Sequence, residues 1–135
     1  MRYKFFEHTA DVKFQSYGKT LEESFQNAAL ALKEVIMKGK QKVNEKIEKK
    51  IIIKEKDNVA LLQKFLEEFL FWLDAEDFIF SKVKVEISNY KLIGEVYGDK
   101  ASSYKFTNDV KAVTYNQMKV WKEKDKFICQ AVLDV

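Results

Sequence analysis

Apolar residues recur at helical intervals in two segments of the chain. Within residues 21–37 the apolar positions are Leu21, Phe25, Ala28, Ala29, Leu32, Val35 and Ile36. Thr20 and Glu23, at the start of this segment, have the spacing of a capping box. Asp57 or Asn58 can cap the second segment. Its apolar positions are Val59, Leu62, Phe65, Leu66, Phe69, Trp72 and Leu73. The pattern predicts two amphipathic helices, each with one broad face to bury.

Short β-prone runs, several with alternating apolar and charged residues, make up most of the remaining chain. The predicted strands cover residues 3–7, 12–17, 49–54, 83–87, 92–97, 110–115, 118–122 and 127–133. The polar segments 8–11 and 98–103 predict loops, and Ser88-Asn89 predicts a hairpin turn. This order of elements predicts an α+β fold, with mixed or antiparallel β-sheets packed against two amphipathic α-helices in a single compact domain covering residues 1–135.

Composition favours a folded chain but leaves its partner open. The 135 residues are 47% hydrophobic and include 11 phenylalanines, which need a core. A net charge of +3, from 24 basic and 21 acidic residues, is too mild to indicate a nucleic-acid binder by bulk electrostatics. The lysine-rich segment 38–50 is a solvated connection or a contact for RNA phosphates. The chain lacks a signal-peptide pattern and an apolar run of about 20 residues, so we expect a soluble, cytoplasmic protein with no membrane partner.

Few residues of the chain are suited to catalysis. The single cysteine, Cys129, has no disulfide partner, and its apolar neighbours indicate a buried thiol. The lone histidine, His8, is either a general base or, as is commoner beside a strand, a structural hydrogen-bonding group. The sequence has no phosphate-binding glycine loop, no nucleophile elbow and no pair of histidines for zinc. We therefore expect no catalysis by this chain alone.

Carboxylates are concentrated at the end of the sequence. Asp134 is followed by Val135, and we expect a terminal carboxylate there to add a second anionic group. Asp11 brings a third if the last strand lies beside the loop that follows the first strand, and oxygen ligands suit calcium or magnesium better than zinc. In the alternative interpretation Asp11 caps a turn and Asp134 is a solvated end. The acidic segment 74–77 follows the second helix, where carboxylates need solvent, a cation or a basic partner.

Several motifs, in order along nearly the whole chain, resemble those of the archease family. The opening motif is His8-Thr9-Ala10-Asp11-Val12, followed by Tyr17-Gly18-Lys19-Thr20-Leu21-Glu22-Glu23 and an alanine-rich helix at 27–32. The later matches are the leucine-rich second helix with Trp72-Leu73, Phe78-Ile79-Phe80, Val110-Lys111-Ala112-Val113-Thr114-Tyr115 and Val132-Leu133-Asp134-Val135.

The resemblance implies an accessory protein and not an enzyme. Archeases promote the guanylylation and multiple turnover of the RtcB-type RNA ligase that joins tRNA halves, and they can broaden its nucleotide use. The expected partner is therefore an RtcB-type ligase, and tRNA would be contacted within the ligase complex.

The family pattern also implies the residues of a site. Its metal ligands fall on Asp11, Asp134 and Val135, the last through a main-chain or terminal oxygen. The expected cofactor is a divalent cation, calcium first, with magnesium or manganese as alternatives. The functional lysine of the family matches Lys111, and the histidine of its opening motif matches His8. No catalytic residue is expected.

Two positions depart from the pattern, and two other functional classes remain open. Lys13 stands where many members have glycine, and Asn116 stands where histidine is usual. The first places a long cation beside the expected site, and the second removes an imidazole. A stand-alone RNA-binding or chaperone-like module would use residues 38–56 and exposed aromatics, and it would bind tRNA without ligase in a salt-dependent way. A metal-dependent hydrolase would turn over substrate unaided.

Overall fold

The computed structural model describes residues 1–7, 10–107 and 109–135, which form strands, two helices and a short 3-10 turn at Ala101–Ser103. In chain order the elements are β1 (Tyr3–Phe6), β2 (Asp11–Gly18), α1 (Leu21–Ile36), β3 (Ile47–Lys54), α2 (Asn58–Glu76), β4 (Phe78–Ser88), β5 (Lys91–Lys100), β6 (Ala112–Glu123) and β7 (Lys126–Asp134). Neither helix is long and apolar enough to cross a membrane.

The strands form two sheets with the helices between them. The four-stranded sheet has the order β1-β2-β7-β6, and the three-stranded sheet has the order β3-β5-β4. Every pairing is antiparallel. Helix α1 contacts β2 and β4, and α2 contacts β6 and β4, so each helix touches both sheets. The predicted α+β architecture is confirmed, and the sheets are antiparallel and not mixed.

Helix α1 begins after Thr20, as its capping box predicts, but Glu23 accepts from the amide of Lys19 and not from that of Thr20 itself. The Thr20 hydroxyl accepts a hydrogen bond from the Glu23 amide at 3.1 Å, and the Glu23 carboxylate accepts one from the Lys19 amide at 3.0 Å. The helix ends at Ile36, one residue before the predicted end, because Met37 is extended and pairs with Phe106. Local capping therefore fixes the start of this helix, and a long-range contact fixes its end.

Helix α2 ends in a residue that joins it to the segment after β5. Asp57 caps its start by accepting from the Ala60 amide at 2.8 Å. At the other end Asp77 is left-handed, with φ 49°, and its carboxylate accepts from the amide and hydroxyl of Ser102 at 2.7 and 2.9 Å. Glu76 forms an ion pair with Lys49. Two carboxylates of the acidic segment thus have protein partners and not only solvent.

The three-stranded sheet is longer than its sequence pattern predicts. Strand β4 begins at Phe78, because residues 78–80 are buried and pair with the end of β5. The predicted loop at 98–103 is wrong in part, since β5 continues to Lys100 before the 3-10 turn. Gly98 permits this pairing, because a Cβ at that position would lie 2.1 Å from the carbonyl oxygen of Ile79.

The end of the chain contains two strands where three were predicted. The segments 110–115 and 118–122 belong largely to one strand, β6, which begins at Ala112. The register against β7 shifts between Thr114 and Lys119, and Gln117 within this irregularity is left-handed with φ 60°. The residues between the two predicted strands therefore form a bulge inside a continuous strand.

Apolar side chains from both sheets meet the helices in one core. Its largest fully buried members include Phe14 from β2, Phe25 from α1, Phe65 from α2 and Phe80 from β4. Phe25 and Phe65 have ring centroids 5.7 Å apart, so the two helices pack directly against each other. The sequence pattern predicted both buried helix faces.

Polar side chains of α1 cover one edge of the three-stranded sheet. The Glu22 carboxylate accepts from the Ile87 amide at 3.2 Å, and the Gln26 carbonyl accepts from the Val85 amide at 3.0 Å. The Lys33 ammonium donates to the carbonyl of Ser81 at 3.1 Å. Burial lowers the pKa of Lys33. These contacts satisfy backbone groups of β4 that no strand pairs.

The lysine-rich connection between α1 and β3 is mostly exposed. Lys38, Lys40, Lys42 and Lys46 are exposed, and only Val43 is buried. Gln41 fastens the connection by donating to the Lys105 carbonyl at 2.8 Å. The expected solvated connection ends at Ile47, where β3 begins.

Candidate metal centre

The register of β2 and β7 places Asp11 and Asp134 directly opposite each other. They are Cα partners at the end of the pairing, and both are half-buried. Cα atoms of opposite residues in antiparallel strands are about 4.5–5.5 Å apart. Phe14 and Ser16 of β2 face the helices, so alternation puts Asp11 on the outer face of the four-stranded sheet. The same alternation along β7 puts Asp134 on that face.

Lys111, the residue before β6, lies beside Asp134. Ala112 is the Cα partner of Asp134 on the other side of β7, and the Lys111 amide donates to the Asp134 carbonyl at 2.7 Å. Lys111 is exposed, whereas Val135 is half-buried against the core. Four of the expected site residues are therefore neighbours. His8, the fifth, lies outside the described residues.

The available donors suit a hard divalent cation. Two carboxylates opposite each other in a sheet repel, and a cation between them would offset that repulsion. Thr114, two residues beyond Ala112 on the same face, has a buried hydroxyl oxygen for which the described residues provide no hydrogen-bond partner. Buried polar atoms of this kind need an explanation such as water or an ion. Carboxylate, carbonyl and hydroxyl oxygens are ligands for calcium or magnesium.

No cluster of metal-binding side chains, carboxylates included, is found among the described residues. Within residues 1–7, 10–107 and 109–135, no three side chains of the types His, Cys, Asp and Glu are grouped to hold a metal. Asp11 and Asp134 would therefore need main-chain oxygens or water to complete a coordination shell.

The two departures from the family pattern lie on or beside the bulge of β6. The Lys13 ammonium donates to the side-chain oxygen of Gln117 at 3.0 Å and lies 5.9 Å from the centroid of the Phe6 ring. The Lys13 ammonium therefore contacts both the bulge of β6 and strand β1. Asn116 is exposed in the bulge.

Cys129 is the buried thiol that its neighbours predict. Its side chain is fully buried on the helix side of β7, and its sulfur donates to the Ser24 hydroxyl at 3.4 Å. Burial raises the pKa of Cys129 to about 12. The thiol therefore stays protonated and sheltered at neutral pH, which is unsuited to nucleophilic attack.

The outer face also contains a chain of side-chain amides that sequence reasoning missed. The Tyr17 hydroxyl donates to the Gln15 carbonyl at 3.0 Å, and the Gln15 amide donates to the Gln130 carbonyl at 2.8 Å. The Gln130 amide then donates to the backbone carbonyl of Gln117 at 2.7 Å. Gln130 is buried. Its apolar neighbours in the sequence were the one signal that this glutamine is not an ordinary exposed residue.

Comparison with known proteins identifies the family. The model of the Archease protein family (MTH1598/TM1083) matches residues 3–135. The protein archease of Methanosarcina barkeri is 37% identical over 141 residues, which cover 99% of this chain and 96% of that protein. The protein archease of Pyrococcus furiosus is 38% identical, with 99% of each chain covered.

Two solved structures have the same fold. The solution structure of protein 1598 of Methanobacterium thermoautotrophicum superposes with a TM-score of 0.85 at 35% identity and 99% coverage of both chains. The crystal structure of an archease of Thermotoga maritima, described as a possible chaperone, gives a TM-score of 0.68 at 18% identity and covers 98% of this chain and 96% of that one. With a family match over nearly its whole length and full-length relatives above 30% identity, the chain belongs to the archease family.

Proposed function

We propose that this chain is an accessory protein of an RtcB-type tRNA-splicing RNA ligase. It would promote ligase guanylylation and multiple turnover, and it would broaden the nucleotides that the ligase uses. Membership of the archease family supports this proposal. The observation that carries it is the meeting of Asp11, Asp134 and Lys111, the residues that match the family's functional positions, at one end of the four-stranded sheet.

The site would contain a divalent cation, with calcium as the first candidate and magnesium or manganese as alternatives. Asp11 and Asp134 would bind it through their carboxylates, and Val135 through a main-chain or terminal oxygen. A bound cation would supply positive charge between the start of β2 and the end of β7, which the sheet already pairs. Lys111 is exposed beside these strands and can meet an anionic group of the ligase or its substrate.

An accessory protein can change ligase activity only through different affinities for different ligase states. If it binds the state that accepts guanylylation more tightly than the stalled state, it shifts the ligase population toward reaction. The cation site and Lys111 would provide that selective contact. No chemical step on the RNA or the nucleotide is assigned to this chain.

The proposal is tested with ligase guanylylation and tRNA ligation under multiple turnover. Wild-type protein should raise the number of ligations completed per ligase, and Asp134→Asn and Lys111→Ala should each lose most of that stimulation. The matched controls are Glu86→Gln and Lys84→Ala, which change exposed charges on the other sheet and should retain it. Failure of the wild-type protein to stimulate, or full stimulation by Asp134→Asn and Lys111→Ala, would overturn the proposal.

A stand-alone RNA-binding or chaperone-like module is the second candidate. Exposed apolar residues favour the chaperone form: Ile52 and Ile93 are opposite each other in the three-stranded sheet and are 69% and 47% exposed. Such a protein would suppress light scattering by an unfolded client without any ligase. Loss of that effect in Ile52→Ser together with Ile93→Ser, with ligase stimulation absent, would favour this candidate.

A further inference from the structure

Aromatic rings lie across the outer face of the four-stranded sheet. Phe6 in β1, Tyr17 in β2 and Trp121 in β6 are half-buried and face away from the helices. Tyr17 and Trp121 flank Ile128 of β7 in one row. With about 4.8 Å between strands, their backbones are roughly 10 Å apart.

Lysine side chains accompany these rings. Lys4 lies 5.1 Å from the centroid of Phe6, and Lys126 lies 4.8 Å from the centroid of Tyr17. Lys119 is the Cα partner of Gln130 and points to the same face. Lys4, Lys119 and Lys126 are all exposed. The face therefore presents lysines beside aromatic surface, together with the carboxylate of Glu123, which is opposite Lys126 and accepts a hydrogen bond from the Trp121 indole at 3.4 Å.

An open depression of about 540 Å³ lies along β6. Gln15, Lys119, Trp121 and Gln130 line it from the outer face, and Val59, Met118 and Val120 complete its lining. This volume falls within the range of small-molecule sites and admits a nucleobase. Glutamine amides can donate to and accept from the edge of a base.

We propose that this face binds single-stranded nucleic acid. Unpaired bases would stack on Tyr17 and Trp121, and phosphates would contact Lys4, Lys119 and Lys126. Aromatic rings on an open sheet stack with bases that are already unpaired, whereas bases within a duplex are not available to them. A stacked base would displace Lys126 from the Tyr17 ring, and the freed ammonium would then pair with a phosphate.

The composition of the face favours nucleic acid over a protein partner. Lysine is depleted in protein interfaces, where arginine takes its place. Lysines that alternate with aromatic residues instead complement a phosphate backbone and its bases. The lysine-rich connection 38–46 contains no aromatic residue, so it matches the charge of RNA but offers no stacking surface. The sheet face is the better candidate, and its binding requires no ligase.

The test is fluorescence anisotropy with labelled oligouridylate of about ten nucleotides, a length within the site sizes of single-strand binders. Trp121→Ala should weaken binding about tenfold or more, and Trp121→Phe should restore most of the affinity. Lys119→Ala and Lys126→Ala should each reduce the salt dependence, by about 0.7 in log K per log salt for one lost phosphate contact. Lys84→Ala removes the same charge from the other sheet and should have little effect.

Competition experiments show which chemical features of the nucleic acid the face recognises. Oligothymidylate of equal length should compete with oligouridylate, because stacking and phosphate contacts are common to both, while an RNA duplex should compete poorly. Absence of oligouridylate binding at low salt, equal losses in Lys84→Ala and Lys119→Ala, or duplex preference would overturn the proposal. So would a Trp121→Ala variant that binds RNA normally but no longer binds the ligase, since that identifies a protein-docking face.

Discussion

The outer faces of the two sheets contain different charged groups at one central and one terminal position. On the three-stranded sheet, Glu95 is the Cα partner of Lys50 on one side and Lys84 on the other. Opposite charges in adjacent strands stabilise such a face without a ligand. On the four-stranded sheet, Asp11 faces Asp134. Each face also contains the other kind of pair, with Lys54 opposite Lys91 on the three-stranded sheet and Glu123 opposite Lys126 on the four-stranded sheet. What distinguishes the Asp11–Asp134 pair is that it brings together two carboxylates, which are groups that a divalent cation binds.

The inner faces of the two sheets should contribute equally to stability, and the largest expected effect comes from substitutions there. Phe14 of β2 and Phe80 of β4 are both fully buried against the helices. Phe14→Ala and Phe80→Ala should each lower the free energy of unfolding by about 3–5 kcal/mol. Urea denaturation followed by circular dichroism measures both values. A loss below about 1 kcal/mol in one variant would show that its sheet does not share the common core.

Calcium should stabilise only through the four-stranded sheet. At about 100 times its dissociation constant, a ligand specific for the folded state raises the free energy of unfolding by about 2.7 kcal/mol. The wild-type protein should gain this stability in calcium and lose it in chelator. Thermal unfolding with and without calcium measures the difference.

The sign of the Asp134→Asn effect should depend on calcium. In chelator this variant should match or slightly exceed the wild type, by up to about 1 kcal/mol, because one of two opposed carboxylates is gone. In calcium it should be the less stable protein. Glu86→Gln on the other outer face should respond to calcium as the wild type does, and a calcium response that persists in Asp134→Asn would place the ion elsewhere.

Polar side chains should contribute unequally to stability on the two outer faces. Gln130→Ala leaves the Gln15 amide and the Gln117 carbonyl without their present partner, and it should cost about 1–3 kcal/mol. Glu95 is exposed, so Glu95→Ala should cost less than about 1 kcal/mol. Chemical denaturation of the two variants measures the contrast. Equal losses of unfolding free energy in the two variants would mean that the hydrogen bonds of Gln130 stabilise the protein no more than the exposed charges around Glu95 do.

Tyr3 should give the smallest effect, visible at alkaline pH. Burial, and then its hydrogen bond to Glu34, raise the pKa of Tyr3 from 10.0 to about 12. The stability from this raised pKa is fully present below pH 10 and is lost as pH rises through about 12. Stability curves of wild type and Tyr3→Phe should therefore converge between those values.

Tyr97 on the three-stranded sheet is the matched control for Tyr3. Its hydrogen bond to Glu95 also raises the pKa of Tyr97, but that contact is exposed. Tyr97→Phe should change the alkaline unfolding profile less than Tyr3→Phe. The reverse order would contradict the assignment of the late-titrating phenol to β1.

The helices were predictable because their signals are local. The capping box at Thr20 and Glu23 and the cap at Asp57 operate within one helical turn, and apolar spacing defines the buried faces. The bulge in β6 was not predictable, since polar residues at 115–117 are equally compatible with a turn. The pairing of β6 with β7 on both sides of Gln117 decides between these structures.

The candidate site was only partly accessible from sequence. Asp11 and Asp134 were selected through family motifs and the chemistry of oxygen donors, but their adjacency depends on the register of strands at opposite ends of the chain. No local pattern encodes that register. The amide chain through Gln130 was missed for the same reason, because each glutamine alone resembles an ordinary exposed residue.

The polar side chains of α1 along β4 bear on how molecules of this protein behave toward one another. An unpaired strand edge is a template on which a second molecule can add a strand, and this is a common route to aggregation. Glu22, Gln26 and Lys33 occupy that edge within the same molecule. Because α1 precedes β4 in the chain, it is already synthesised when β4 emerges from the ribosome. The growing chain thus has its own cover for this edge before the sheet is complete.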